Sequence, residues 1–159
     1  MGELGRPTRS RQPSAEHSVP VQSARDRSRS RRCRSTGDHS YHLLEKDGWG
    51  AELVRGLERE PGDIWIDKHR ISGFWDTPLD SILRNLGVTT LLFAGINADH
   101  CVYATLMDAN FHGYDTIMLE DCVATTSPAF CLEATLHNVR FCFGFTVTAS
   151  NLLKGLSPQ

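Results

Sequence analysis

The 159 residues predict an α/β domain: a parallel, Rossmann-like sheet sandwiched between helices in a three-layer arrangement. Two observations carry this. The strand-like runs, such as Thr90–Gly95 (TLLFAG), are apolar along their whole length, as suits strands covered on both faces. Between them lie stretches whose apolar residues recur at helical spacing, so strands and helices alternate along the chain. A third observation qualifies the other two. Only four strands are readable, few for such a sheet, so the first strand or strands are expected to be missing.

The elements follow in order. Asp63–Asp67 (DIWID) comes after the turn pair Pro61-Gly62 and reads as a short buried strand. Thr77–Leu86 puts Leu79, Ile82, Leu83 and Leu86 on one helical stripe, with Thr77 as cap, Pro78 in the first turn and Gly87 as stop. Thr90–Gly95 is the second strand. Asp99–His112 is a helix with Val102, Leu106 and Ala109 inward, Phe111 at the end of the same stripe, and Gly113 closing it. Asp115–Glu120 is the third strand, Pro128–Arg140 the third helix, Phe141–Val147 the fourth strand and Asn151–Leu156 a short closing helix. The crossovers between parallel strands are right-handed by rule.

Charge divides the chain into two segments. Residues 1–40 hold nine Arg, no Lys and four acids, a net of +5, and few aliphatics. Such a segment cannot offset its ordering entropy, so 1–40 is expected to be a disordered tail and 41–159 the folded domain. The Arg/Ser tract Ser23–Ser35 lacks interleaved aromatics, which argues against an RNA-binding role. Residues 41–159 carry a net of −7, which fits a small-molecule or protein partner better than nucleic acid. No run reaches the roughly 18 apolar residues of a membrane span. The basic N-terminus has no apolar stretch after it to make a secretory signal. Cys33, Cys101, Cys122, Cys131 and Cys142 form no close pairs, so reduced thiols in the cytoplasm are expected.

In open parallel sheets, ligands bind beyond the carboxyl ends of the strands. Three polar groups fall there: Asp67-Lys68, the loop Asn97 to Cys101, and Glu120-Asp121. Cys101 lies in the first turn of a helix, where unpaired N–H groups and the helix dipole favour an anion such as a thiolate. Lys68, at the end of a neighbouring strand, could add a positive charge. The small, sharp loop Gly95–His100 could turn N–H groups towards an oxyanion. Nucleophile, cation and donors on one edge suit acyl transfer at a C–N bond. Cys122, Cys131 and Cys142 read as buried small hydrophobes. His39, His42, His69 and His112 have no ligand spacing, and no metal or other cofactor is expected.

The run from Ile66 to Thr126 closely resembles the isochorismatase-like cysteine hydrolases, in particular the amidohydrolase branch that acts on ureidoacrylate, biuret, N-carbamoylsarcosine and nicotinamide. The motifs are Lys68 before a Ser72-x-Phe74 turn, the Gly95 to Val102 loop (Gly-Ile-x-x-Asp-x-Cys-Val), and Gly113-Tyr114-Asp115. The resemblance implies Cys101 as nucleophile and Lys68 as activating cation. It also implies a cis peptide between Ile96 and Asn97, and an oxyanion hole from the N–H groups of Asn97 and Cys101. Phe74 and Trp75 would line the pocket for a small amide or ureide. A sheet missing a central strand exposes ladder groups, and homo-oligomers are expected to cover them. The family's third catalytic member, an Asp closing the first strand, has no counterpart of that form in residues 1–48. Asp26 sits in the Arg/Ser tract and Asp38 in Thr-Gly-Asp-His. Turnover is therefore expected to be impaired. The same gap supports a second reading, in which the chain is a non-catalytic relic that binds a partner or dimerises.

Overall fold

The structure is a computed structural model that describes residues 21–23, 49–53, 55–58 and 60–156. Its strands are β1 (Val21–Ser23), β2 (Ile66–Lys68), β3 (Thr90–Ile96), β4 (Asp115–Ala124) and β5 (Phe145–Val147). Its α-helices are α1 (Leu79–Asn85), α2 (Tyr103–Phe111), α3 (Ala129–Asn138) and α4 (Ala149–Leu156). Among the described residues every strand pairing is parallel, in two sheets of order β1-β2 and β3-β4-β5. The α/β alternation read from the chain is the architecture found.

One element was not legible. Val21–Ser23 lies inside the segment expected to be a tail, yet it pairs in register with β2, Val21 opposite Ile66 and Ser23 opposite Lys68. Three residues with one β-branched side chain are too short for periodicity to register, and strand formation here depends on the partner. The expectation of no strand before Asp63 is corrected to that extent. The other residues of 1–40 lie outside the described residues.

Boundaries shift for physical reasons. The helix expected over Asp99–His112 is a wide π turn over Ala98–Val102 continued by α2. Likewise α3 runs on into a π turn over Val139–Phe143, so β5 starts at Phe145 rather than at Phe141. Phe141 and Phe143 fit either element by hydrophobicity alone. Gly144 makes the break: its φ is 149°, and a Cβ there would collide with the Thr116 carbonyl. In α1 the Thr77 hydroxyl accepts the Leu79 N–H at 3.2 Å, as expected of a cap, and Gly87 (φ 67°) ends the helix.

The core forms two clusters. Ile66, Leu79, Leu83, Ala109 and Tyr114 join α1, β2 and the end of α2. Val102, Leu106, Met118 and Val139 bury β4 beneath the helices. Register explains the sidedness. Leu91 pairs with Thr116 and Phe93 with Met118, so these side chains face the helices. Leu92, Ile117 and Phe145 share the opposite face, where Leu92 is 50% and Phe145 68% exposed among the described residues. Phe111, on the expected inward stripe, is exposed instead, beyond the last buried turn of α2.

Candidate functional site

β3 delivers the site. Its apolar residues carry the chain to Gly95, whose φ of 116° suits a residue without a Cβ, and the Ile96–Asn97 peptide that follows is cis. The π turn opens at once, and Asn97 accepts the N–H groups of His100 (3.1 Å) and Val102 (3.4 Å). Cys101 is half-buried in this turn. Its thiol donates to the Ile96 carbonyl at 3.4 Å and, more weakly, to that of Asn97 at 4.0 Å.

The loop after β4 clamps this turn from the side. Thr125 donates its hydroxyl to Asp99 Oδ1, while the Thr126 N–H reaches Asn97 Oδ1 at 3.3 Å. Thr125 Oγ1 in turn accepts the Ser127 N–H at 3.1 Å. The Thr125 hydroxyl is the main reason the Asp99 carboxyl sits below its ordinary range. His100 is exposed, 3.4 Å from Asp99 Oδ2 through Nε2.

Lys68 closes β2 and is only 4% exposed. Its ammonium donates to the carbonyls of Arg70 (3.0 Å) and Ile71 (3.1 Å), which orients it with the loop that follows. That loop is fastened to the Cys101 helix: the Gly73 N–H donates to Thr105 Oγ1 at 2.9 Å, and Thr105 donates to the Cys101 carbonyl at 2.7 Å. Lys68 and Cys101 are thus connected through the loop after β2 and the Thr105 hydroxyl. Sequence reasoning missed Thr105, Thr125 and Thr126, whose only signal is small polar residues flanking the motifs.

Phe74 and Trp75, in the loop between β2 and α1, pack against the far end of α2. Phe74 stacks on His112 (centroids 5.0 Å apart) beside Tyr114, and the Trp75 indole donates to Asp108 at 2.8 Å. An open cleft of about 380 Å³ runs between Arg70, Ser72, Trp75 and the α2 residues Ala104 and Met107. A second, of about 430 Å³, lies against Phe74, Trp75, Phe111 and His112. The lining of both stops short of Cys101, the first roughly one helical turn from it at Ala104 and the second roughly two at Asp108. Among the described residues no group of three or more His, Cys, Asp or Glu could hold a metal ion, and no helix is long and apolar enough to cross a membrane.

The other thiols correct an expectation. Cys122 and Cys142 are exposed and Cys131 half-buried, not core residues. Cys122 falls where β4 carries extra residues between its pairings with Phe93 and Gly95, past its last pairing with β5 at Leu119. Desolvation, then the Asp121 carboxylate 3.7 Å away, pushes the Cys122 thiol above its ordinary value. Cys33 lies outside the described residues.

Cys101 thus sits in a π turn entered from the parallel strand β3, and the buried Lys68 ends the parallel strand β2. The isochorismatase domain family matches residues 11–151, and the chain belongs to it. It is similar to the ureidoacrylate amidohydrolases RutB of Enterobacter sp. (strain 638), 43% identical over 116 residues, and of Klebsiella pneumoniae (strain 342), 44% identical. These alignments cover 73% of this chain and 50% and 49% of the relatives, so the chain spans about half the length of the curated relatives it matches. Among solved structures, N-carbamoylsarcosine amidase from Thermoplasma acidophilum is 30% identical with a TM-score of 0.66, covering 84% of this chain and 72% of that one. An isochorismatase-like hydrolase from Alkaliphilus metalliredigens (24% identical, TM-score 0.75, covering 89% and 72%) shares the fold.

Proposed function

We propose that this chain is a cysteine hydrolase acting on the C–N bond of a small amide or ureide, with Cys101 as nucleophile and Lys68 as the cation favouring its thiolate. The observation that carries this reading is the seat of Cys101, in the first turn of a helix entered directly from the carboxyl end of β3. Unpaired amides and the helix dipole there stabilise negative charge. Sγ attacks the carbonyl carbon, forming a C–S bond, and the oxyanion is held by the N–H groups of Asn97 and Cys101. One such donor is worth roughly 10²–10³ in rate. The C–N bond breaks as the leaving amine takes the proton that the thiol gave up, and water then adds to the thioester carbonyl, releasing the acid and restoring the thiol. Phe74 and Trp75 line the approach. With this chemistry go a reducing cytoplasmic setting and self-association of the chain.

Turnover is slow in this reading. Among the described residues the Cys101 thiol donates to two backbone carbonyls, and neither can take its proton. No aspartate is assigned to that task. The test is an assay of the purified chain against ureides, carbamoyl compounds and nicotinamide, with Cys101→Ala as blank. The expected result is turnover well below about 1 per second, lost in the blank. Turnover that survives Cys101→Ala would overturn the nucleophile. No turnover at all, with Cys101 still reactive, would favour the non-catalytic binding module.

A further inference from the structure

We propose that Thr105 is a positioning residue for the Cys101 site: its hydroxyl fastens the loop that orients Lys68 to the helix that carries the nucleophile. The inference rests on the proposed pairing of Lys68 with Cys101 and adds the group that sets it. A threonine in a helix commonly returns its hydroxyl to the carbonyl four residues back, and Thr135 does so in α3, to Cys131 at 2.8 Å. Thr105 makes the same bond to Cys101, at 2.7 Å, and its oxygen also accepts the N–H of Gly73 at 2.9 Å. That second bond spans 32 positions of sequence and docks the 70–76 loop onto α2. The loop needs the anchor because Gly73 is buried and a buried N–H demands an acceptor. The carbonyls that hold the Lys68 ammonium, Arg70 and Ile71, stand two and three residues before that anchor. Trp75 still holds the later part of the loop to Asp108, so loss of the Thr105 hydroxyl loosens the part next to Lys68, and the ammonium shifts with it.

The chemistry supports the reverse polarity as well. Accepting from Gly73 makes the Thr105 hydroxyl a better donor to the Cys101 carbonyl, since linked hydrogen bonds polarise one another. The Cys101 backbone is thereby held through its carbonyl, while its thiol donates to the carbonyls of Ile96 and Asn97.

The experiment is the rate of Cys101 alkylation by iodoacetamide at pH 7, followed by mass spectrometry on the full folded chain, with melting temperature as the check on folding. Thr105→Val keeps the shape and removes the hydroxyl, Thr105→Ala is a second hydroxyl-less variant, and Thr105→Ser keeps the hydroxyl. Both hydroxyl-less variants should slow alkylation about fivefold, the effect of losing one hydrogen bond, and Thr105→Ser should stay near the parent. Thr135→Val, with the same local bond and no loop to hold, should leave the rate unchanged. A merely structural role gives the opposite sign, because loosening exposes a half-buried thiol and speeds its alkylation. Thr105→Val at the parental rate or faster sinks the proposal, as does Thr105→Ser as slow as Thr105→Val. Lys68→Met separates the two layers: if it slows alkylation while Thr105→Val does not, only the Thr105 proposal fails. If Lys68→Met has no effect, the pairing of Lys68 with Cys101 fails, and the role of Thr105 with it.

Discussion

Cys101 and Cys122 stand at the same end of the same sheet, yet their surroundings are opposite. β3 and β4 pair there, Gly95 with Val123 and Ile96 with Ala124, so Cys101 follows β3 while Cys122 lies within β4 just before that pairing. Cys122 is exposed in an irregular stretch of β4, where desolvation first and the Asp121 carboxylate second disfavour its ionisation. Cys101 is half-buried, in a helical turn that favours negative charge, on a loop tied to the buried Lys68. Accessibility alone would make Cys122 the reactive cysteine. The proposed function makes Cys101 the reactive one instead, so the pair separates the neighbours of a thiol from its exposure as the source of reactivity.

The contrast can be broken most sharply by deletion. Cys101→Ala should abolish any hydrolysis the chain performs, and Cys122→Ala should leave it unchanged. Activity assays on the two variants, with melting temperatures matched, decide this. Next in size is Lys68→Met, which should slow Cys101 alkylation by about tenfold, the scale of one nearby charge, and leave Cys122 untouched. It also strips the Arg70 and Ile71 carbonyls of their donor, a loss of about 1–3 kcal/mol that a denaturant melt would register.

The comparison sharpens from the other side with Asp121→Asn. Removing that carboxylate should speed Cys122 alkylation about threefold at low salt, with the gain shrinking as salt screens the pair. Cys101 should not respond. The smallest effect is expected from Thr125→Val, which releases Asp99. Its carboxyl is depressed below the ordinary value of 3.8 in the folded chain. The stability it contributes is therefore present above that pH and lost as pH falls through the depressed value. The melting-temperature gap between parent and Thr125→Val should be widest near neutrality and close in acid. A gap that is constant with pH would dissociate Thr125 from Asp99.

Which parts of this were legible beforehand follows from their range along the chain. The Leu79 and Leu83 stripe, the Gly95 to Val102 loop and the place of Cys101 are local patterns, and each stands where its pattern implies. β1 was not legible, because Val21–Ser23 is a strand only by virtue of Ile66–Lys68. The π turns at Ala98–Val102 and Val139–Phe143 escaped notice because hydrophobic spacing cannot separate one wide turn from an α-helical one over five residues. Thr105 and Thr125 were invisible for a related reason, since their partners Gly73 and Asp99 lie 32 and 26 positions away. The misplacement of Cys122 and Cys142 came from composition: a lone cysteine is usually buried, but Cys122 lies in the irregular stretch of β4 and Cys142 in an exposed π turn.

The central claim is that Cys101 is the activated thiol, and competitive alkylation tests it most directly. The native chain is treated at neutral pH with a limiting amount of iodoacetamide, and the modified peptides are quantified by mass spectrometry. Cys101 should be labelled ahead of Cys122, Cys131 and Cys142, although Cys122 and Cys142 are the more exposed. Cys122 labelled as fast as Cys101, or all four labelled alike in the folded protein, would contradict it.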